Sequence, residues 1–164
     1  MQPVPYTSTV RLESARFSFS SGHFTIFSRE KRERLHGHRF TVACTMETQV
    51  GAEGLSFDYG FYKKEIEGLC EELDEYFLLP EHNPHLQLQP KGEQVQCTFA
   101  GKEFVLLAED VKILPVSNIT VEEMSRWMAG RLQQTCGASF ASHGITACSL
   151  EVASGPGQSA SFSF

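Results

Sequence analysis

The sequence predicts an α+β fold built on an antiparallel sheet, because stretches with strand periodicity come in pairs and two helical stretches lie between the pairs. The predicted order is two strands, a helix, a hairpin, a second helix and two closing strands. The 164 residues have the length of one domain, which we expect to extend over 1–164. With 13 phenylalanines and 41% hydrophobic residues, the chain has enough apolar side chains for one core.

The first two predicted strands flank a charged loop. Residues 8–23 alternate as a strand, with a change of phase that predicts a β-bulge near Ser14. After the loop 24–35 the alternation resumes, and it places His36 and His38 on the same face as the apolar side chains. Histidines in that position need an explanation beyond packing.

Two helices follow from capping residues and apolar spacing. Asp58 is placed to cap a helix that runs to about Phe77, with apolar residues three and four positions apart. The second helix begins near Thr120, because Thr120-Val-Glu-Glu123 has the form of a capping box. The remaining predicted strands are a hairpin, 94–99 and 103–107, and two closing strands, 145–152 and 159–164.

Composition excludes several classes of protein. No apolar run reaches eight residues, so a transmembrane helix is not expected, nor is a membrane partner. The net charge of −6 disfavours nucleic acid as a partner. Five cysteines, an odd number without a Cys-x-x-Cys pair, indicate reduced buried thiols and a cytoplasmic protein, and the first residues do not have the pattern of a signal peptide.

The candidate metal ligands are three histidines. His36 and His38 are two residues apart on one strand, so their imidazoles lie on the same side. His23 continues the apolar phase of the preceding strand, and antiparallel pairing through the loop brings it to the same end. Three imidazoles with an open fourth position suit Zn²⁺. The alternative is that each histidine is merely hydrogen-bonded, and the residues alone do not decide between the two interpretations.

These histidines belong to a set of motifs that resembles the 6-pyruvoyl-tetrahydropterin synthase and 6-carboxytetrahydropterin synthase family. Leu35-His-Gly-His-Arg-Phe40 with the upstream histidine is the specific motif, and the others are weak singly. The motifs occur in the order of the family and cover most of the chain, and only 81–116 is longer than is usual there. The other motifs are Phe17-Ser-Phe-Ser-Ser-Gly-His23, Gly54-Leu-Ser-Phe-Asp-Tyr59, Leu73-Asp74, Thr120-Val-Glu122 and Ser149-Leu-Glu151.

The resemblance implies the tunnelling fold, in which a four-stranded antiparallel sheet has two helices on one face, here with an inserted hairpin in 81–116. It implies a homo-oligomer in which three subunits close a barrel and two barrels stack into a hexamer, a dimer of trimers with sites between subunits. It also implies zinc held by the three histidines, and a small-molecule pterin substrate anchored by Glu151 and contacted by Thr120 and Glu122. The alternatives are a helix-capping role for Glu122 and a solvated strand position for Glu151.

The chain departs from the family at the catalytic positions. Family enzymes use a cysteine in the loop before His-Gly-His, and this loop instead contains Glu30 and Glu33. Asp74 matches the family's catalytic aspartate, but Glu75 follows it where the family has histidine. We expect a glutamate as general base, with Glu30 preferred over Glu33 because its tether is longer, and Asp74 or Glu75 as further candidates.

The expected function is that of a zinc-dependent pterin lyase acting on 7,8-dihydroneopterin triphosphate or a close relative. One alternative is a branch of the family that has glutamate in place of the cysteine and makes 6-hydroxymethyl-dihydropterin for folate. The other is a pterin- or zinc-binding homologue without catalysis. The basic loop residues Arg29, Lys31, Arg32 and Arg34, with Arg39, either receive the triphosphate or form a solvated charged surface.

Overall fold

The structure, a computed structural model, describes residues 4–164 and contains two helices and ten strands within that range. Neither helix is long and apolar enough to cross a membrane, as far as the described residues go. The elements in chain order are β1 (Tyr6–Leu12), β2 (Ser18–His23), β3 (His36–Val50), α1 (Tyr59–Glu71), β4 (Phe77–Pro80), β5 (Leu86–Lys91), β6 (Gln94–Phe99), β7 (Lys102–Leu107), β8 (Val111–Leu114), α2 (Val121–Ser142), β9 (Ile145–Ala153) and β10 (Ser159–Ser163).

The main sheet is organised around β3, its longest strand. The strand order is β10-β9-β3-β2-β4-β8. Strands β2 and β1 lie on the same edge of β3, where β2 pairs with its first half and β1 with its second half. The predicted single strand 8–23 is therefore interrupted over 13–17, which is longer than a bulge. The cause is local, because the N–H of Phe17 donates to the carbonyl oxygen of Ser14 at 3.0 Å and closes a turn there.

Both helices cover one face of the main sheet, as the family resemblance implied. Their apolar stripes, spaced by three and four residues, meet alternate residues of the strands in one core. Burying each such side chain contributes about 1.5–3 kcal/mol. Fully buried members include Phe17, Phe19, Phe40 and Met46 from the sheet side, Tyr62 and Ile66 from α1, and Met124, Met128 and Leu132 from α2.

Helix α1 ends at Glu71, six residues before the predicted Phe77. Asp58 caps its start as predicted, since the Asp58 carboxylate accepts from the Gly60 N–H at 2.8 Å. At the other end the Asp74 carboxylate accepts from the backbone N–H of Ser20 at 2.7 Å. Glu75 then adopts a left-handed backbone, with φ of 64°, and its N–H donates to the carbonyl oxygen of Ser20. These bonds to β2 turn the chain into β4 in place of another helical turn.

The segment 81–116 contains more than the predicted hairpin. The hairpin itself is confirmed as β6 and β7, whose tight turn has positive φ at Ala100 and Gly101. Strand β5 adds a third strand to it, while β4 and β8 pair in parallel and extend the main sheet through the β2–β4 contact. A second core lies under the three-stranded sheet; its buried members are Phe24, Ile26, Leu79, Leu86, Val95, Cys97 and Phe99.

A glycine permits the close contact between β2 and β4. A Cβ atom added at Gly22 would overlap the ring of Phe77. In contrast, a Cβ atom added at Gly68, within α1, would enter open space. An added methyl group therefore meets the Phe77 ring at Gly22 but no neighbour at Gly68. Comparing the stability of the two alanine variants measures how tightly the β2–β4 junction is packed.

We predict that Gly22→Ala lowers the free energy of unfolding by about 1–3 kcal/mol, because the Phe77 ring must move from a packed position. Gly68→Ala should raise it by about 0.5–1 kcal/mol, since alanine restricts the unfolded chain and favours the helix. Urea denaturation of the two variants beside the wild type measures both changes. Equal stability of the two variants would show that the β2–β4 junction is loosely packed.

Candidate metal centre

Three histidine side chains converge at the end of the β2–β3 ladder. The antiparallel register pairs His23 with His36, and His38 follows on the same side of β3. The Nε2 atoms of His36 and His38 are 3.1 Å apart, and one ring nitrogen from each of the three histidines lies within 4.8 Å of the others. Two consecutive strands, joined by the loop 24–35, thus bring three candidate nitrogen ligands to one point.

His23 is buried with one ring nitrogen unpartnered. Its Nδ1–H donates to the carbonyl oxygen of Ile119 at 3.0 Å, whereas Nε2 is buried and has no hydrogen-bond partner among the described residues. A buried polar atom without a partner costs about 1–3 kcal/mol, so a ligand for Nε2 is expected. Burial lowers the pKa of His23 to about 4, which keeps the imidazole neutral and its lone pair free.

The His36 ring is oriented in a similar way. His36 Nδ1–H donates to the carbonyl oxygen of Arg34 at 2.7 Å, which leaves Nε2 to face His38. An imidazole whose outer N–H is bonded to a backbone carbonyl presents its inner nitrogen in the tautomer that binds metals. The arrangement therefore fits a cation with nitrogen ligands and an open coordination position, as Zn²⁺ prefers.

Glu33 is the loop carboxylate that lies beside the histidines. Its Oε2 is 3.8 Å from His36 Nε2 and accepts from the backbone N–H of Thr25 at 2.9 Å. Burial raises the pKa of Glu33, but the hydrogen bonds from Thr25 outweigh this and hold the pKa below its ordinary value. Glu30, which the sequence favoured, lies exposed near the tip of the loop, where its N–H donates to Ser28 Oγ. The structure thus favours Glu33 over Glu30 at the cluster.

A cavity of about 320 Å³ opens beside the histidines and joins further candidate residues to them. Thr120 and Glu122 line it from the start of α2, together with Glu33. Thr120 also caps α2, accepting from the N–H of Glu123 at 3.4 Å. Sequence reasoning missed the polar contribution of the β9–β10 turn, whose only sequence signal is the Gly-Pro-Gly run at 155–157. The residues lining the cavity from that side are Ser154, Gln158 and Ser159.

Besides Glu30, three further candidate site residues lie outside this cavity. Glu151 lines a different cavity, where its Oε1 accepts from Arg11 Nη2 at 2.9 Å. Asp74 holds the backbone of β2, as described above, and Glu75 lines a cleft on another side of His38 together with Arg39. One chain therefore unites the histidines with Glu33, Thr120 and Glu122 in a single cavity, whereas Glu75 approaches only His38, from a different cleft, and Glu151 and Asp74 lie elsewhere.

The cysteines do not contribute to the centre. All five are free and buried, as predicted, and none belongs to the histidine cluster. Burial raises the pKa of Cys70 to about 12 and that of Cys97 to about 11, so these thiols stay protonated. A proton-transfer group at the centre must therefore come from another residue type.

The chain is similar to known proteins over most of its length. The family model for 6-pyruvoyl tetrahydropterin synthase matches residues 13–163. A Methanocaldococcus jannaschii protein, provisionally named 6-carboxy-5,6,7,8-tetrahydropterin synthase, is 26% identical over 119 residues, which are 72% of each chain. The structure of 6-pyruvoyl tetrahydropterin synthase from Plasmodium vivax superposes with a TM-score of 0.91 at 24% identity, covering 97% of this chain and 98% of that one.

A glutamate is functionally important in that Plasmodium vivax protein. Two further structures of it contain a substitution of one glutamate, described as a catalytic residue, by alanine or by cysteine. Both have a TM-score of 0.91 and 23% identity to this chain. This degree of likeness establishes a shared fold.

Proposed function

This chain belongs to the 6-pyruvoyl tetrahydropterin synthase family, and from that membership we propose that it is a zinc-dependent pterin lyase acting on 7,8-dihydroneopterin triphosphate or a close relative. The observation that carries the proposal is the buried, unpartnered Nε2 of His23 within three converging imidazoles, with the Glu33 carboxylate beside them. Membership of the family supports a pterin as substrate, and the side chains suggest the chemistry.

The residues fit zinc as the metal. His23, His36 and His38 would hold it through nitrogen, and two of the rings already donate their outer N–H to backbone carbonyls. When bound, zinc supplies a Lewis acid for the hydroxyl groups of the substrate side chain. The cavity next to His38 leaves room for those hydroxyls on the open side.

We predict about one Zn²⁺ per chain in the purified protein, and a loss of most of it in the double variant His36→Ala/His38→Ala, because three nitrogen ligands are reduced to one. His82→Ala/His85→Ala is the matched control, since these are two exposed histidines outside the cluster. Elemental analysis after dialysis against a weak chelator gives both values. Zinc retained at full stoichiometry by the first variant would exclude this ligand set.

Glu33 is the proposed proton-transfer group. Its lowered pKa makes it an ionised carboxylate at neutral pH, and its position next to His36 puts it beside the metal ligands. The loop lacks the cysteine that family enzymes use, and a glutamate is described as a catalytic residue in the Plasmodium vivax protein. We therefore assign to Glu33 the role of base and then of acid in the same turnover.

The carboxylate favours cleavage of the substrate side chain. In this step Glu33 removes the proton of the hydroxyl on the second side-chain carbon, and the bond between the first and second carbons breaks to release an aldehyde. The electron pair of that bond remains on the first carbon, next to the pterin ring, and takes the proton back from Glu33. The step needs no oxidant or reductant, and its pterin product is 6-hydroxymethyl-dihydropterin.

We predict that Glu33→Gln lowers the turnover of 7,8-dihydroneopterin triphosphate by at least about 100-fold, because positioned acid–base groups contribute about 10²–10⁴ in rate. Glu30→Gln, a change of the same kind in the same loop, should stay within about 3-fold of the wild type. Products are identified by mass and zinc content is measured for each variant.

If Glu30→Gln lowers turnover more than Glu33→Gln does, the role of general base passes to Glu30. If the wild type binds pterin but forms no product, the chain is a binding homologue instead. The absence of the family's cysteine and of its histidine at the Glu75 position are the observations that favour that second function.

The proposed site is completed between subunits. Among the described strands of the main sheet, β1, β8 and β10 each have one neighbour, so open edges are available for pairing with other copies, which supports a closed homo-oligomer such as the family's hexamer. Glu151, the proposed pterin anchor, lies in a separate cavity from the histidines within one chain. A carboxylate accepts two adjacent N–H groups of a pterin at once, so this anchor is plausible once a second chain supplies it.

We predict complementation between two inactive variants. His36→Ala and Glu151→Gln should each lose most activity alone, whereas oligomers co-expressed from both should recover activity at roughly one quarter of their sites, those that combine intact groups from two chains. Sedimentation equilibrium of the wild type gives the number of chains. A monomer, or mixed oligomers as inactive as the parents, would show that the site does not span subunits.

A further inference from the structure

An arginine in the β2–β3 loop is surrounded by aromatic rings. The guanidinium of Arg32 lies over Phe24 at 4.9 Å, Phe104 at 5.3 Å and Phe99 at 5.8 Å from the ring centroids. Phe99 ends β6 and Phe104 lies in β7, so two of the three rings come from the three-stranded sheet of the segment 81–116. A half-buried guanidinium over several rings is held in place by cation–π attraction.

The same arginine is bonded to the residue that follows it. Arg32 Nη1–H donates to the carbonyl oxygen of Glu33 at 2.7 Å, and the backbone of Arg32 bridges to Ile26 across the loop. Glu33 is in turn bonded to Thr25 twice, through its own N–H at 2.9 Å and through its carboxylate at 2.9 Å. The peptide that carries the carboxylate is thus fixed from both ends.

The loop therefore depends on the second core. Phe24 and Ile26 are buried there among Leu86, Val95 and Phe99, and on the other side Asn118 Nδ2–H donates to the carbonyl oxygen of Ile26 at 2.7 Å. Without the inserted sheet, Arg32 would lose two of its three rings. A charged loop of this length would then sample many conformations, and ordering it would cost conformational entropy.

We propose that Arg32 is a positioning residue for Glu33, and that the inserted three-stranded sheet serves as the platform that holds this arginine and thereby the carboxylate beside the histidines. The inference rests on the proposed function for the role of Glu33 in turnover. It gives the segment 81–116 a structural role in the site, to which that segment otherwise contributes nothing. The effect on rate should be large, since a misplacement of about 1 Å can cost about 100-fold.

The test compares arginine variants that separate positioning from stability. Arg32→Met keeps an unbranched apolar stem against the rings and removes the donor to Glu33, while Arg32→Lys keeps a cation and one donor. Arg131→Met is the matched control, because Arg131 also stacks on an aromatic ring, Trp127, at 5.2 Å, and also donates hydrogen bonds, here two to the Glu72 carboxylate, but lies on the helices away from the loop. Zinc content, unfolding free energy, kcat and KM are measured for all three.

We expect Arg32→Met to lower kcat by at least about 10-fold with KM within about 3-fold of the wild type, because Glu33 is misplaced while substrate contacts remain. Arg32→Lys should recover part of the loss, and Arg131→Met should lower stability and leave kcat unchanged. A kcat for Arg32→Met equal to that of the wild type overturns the inference. So does a fall in kcat that follows stability equally in the Arg32 and Arg131 variants.

Hydrogen exchange tests positioning without turnover. Peptides covering 24–34 should exchange faster in Arg32→Met than in the wild type, and at the wild-type rate in Arg131→Met, because the Thr25–Glu33 bonds are released only in the first. Unchanged exchange in Arg32→Met overturns the inference. If the wild type shows no turnover, the proposed function fails, and faster exchange confined to Arg32→Met still supports the positioning of Glu33 by Arg32.

Discussion

The antiparallel pairing of β2 with β3 is the constraint on which the rest of the site depends. Its register places His23 opposite His36, and the two-residue period of a strand then adds His38 on the same side. A shift of this register by one residue would turn the histidines of one strand to the opposite face. The side chains that hold the register are apolar: Phe19 faces Phe40 directly, with ring centroids 5.0 Å apart, and both are buried beneath the helices.

Burial of His23 links the stability of the fold to ligand binding at the candidate metal centre. The imidazole is placed where its charged form is disfavoured, and one nitrogen is satisfied by the carbonyl oxygen of Ile119 just before α2. The other nitrogen has no partner within residues 4–164, which costs stability in the free chain. A ligand that binds this nitrogen would recover that cost, so ligand binding and stability are coupled at the centre.

The two apolar cores support different parts of the candidate site. The larger one, under the helices, holds the β2–β3 ladder and therefore the histidines. The smaller one joins the loop after β2 to the inserted sheet, and through Arg32 it reaches the peptide of Glu33. The candidate metal ligands and the candidate proton-transfer group are thus supported by separate clusters of apolar residues, which meet where β2 ends.

Sequence periodicity and capping residues determined the α+β class, the start of both helices at Asp58 and Thr120, and the common face of His36 and His38. These are local properties, because alternation along a strand and side-chain caps act over a few residues. Tertiary contacts decided the early end of α1, where Asp74 and Glu75 bond to Ser20, and the choice of Glu33 over Glu30 beside the histidines.

Tertiary structure also decided that Glu151 lies apart from the histidines within one chain, and that the segment 81–116 forms a sheet against the loop. The physical reason is the same in each case. Loop direction and strand partners depend on contacts between residues far apart in sequence, such as Arg32 with Phe99 and Phe104, and no local periodicity encodes which distant side chain will be the partner.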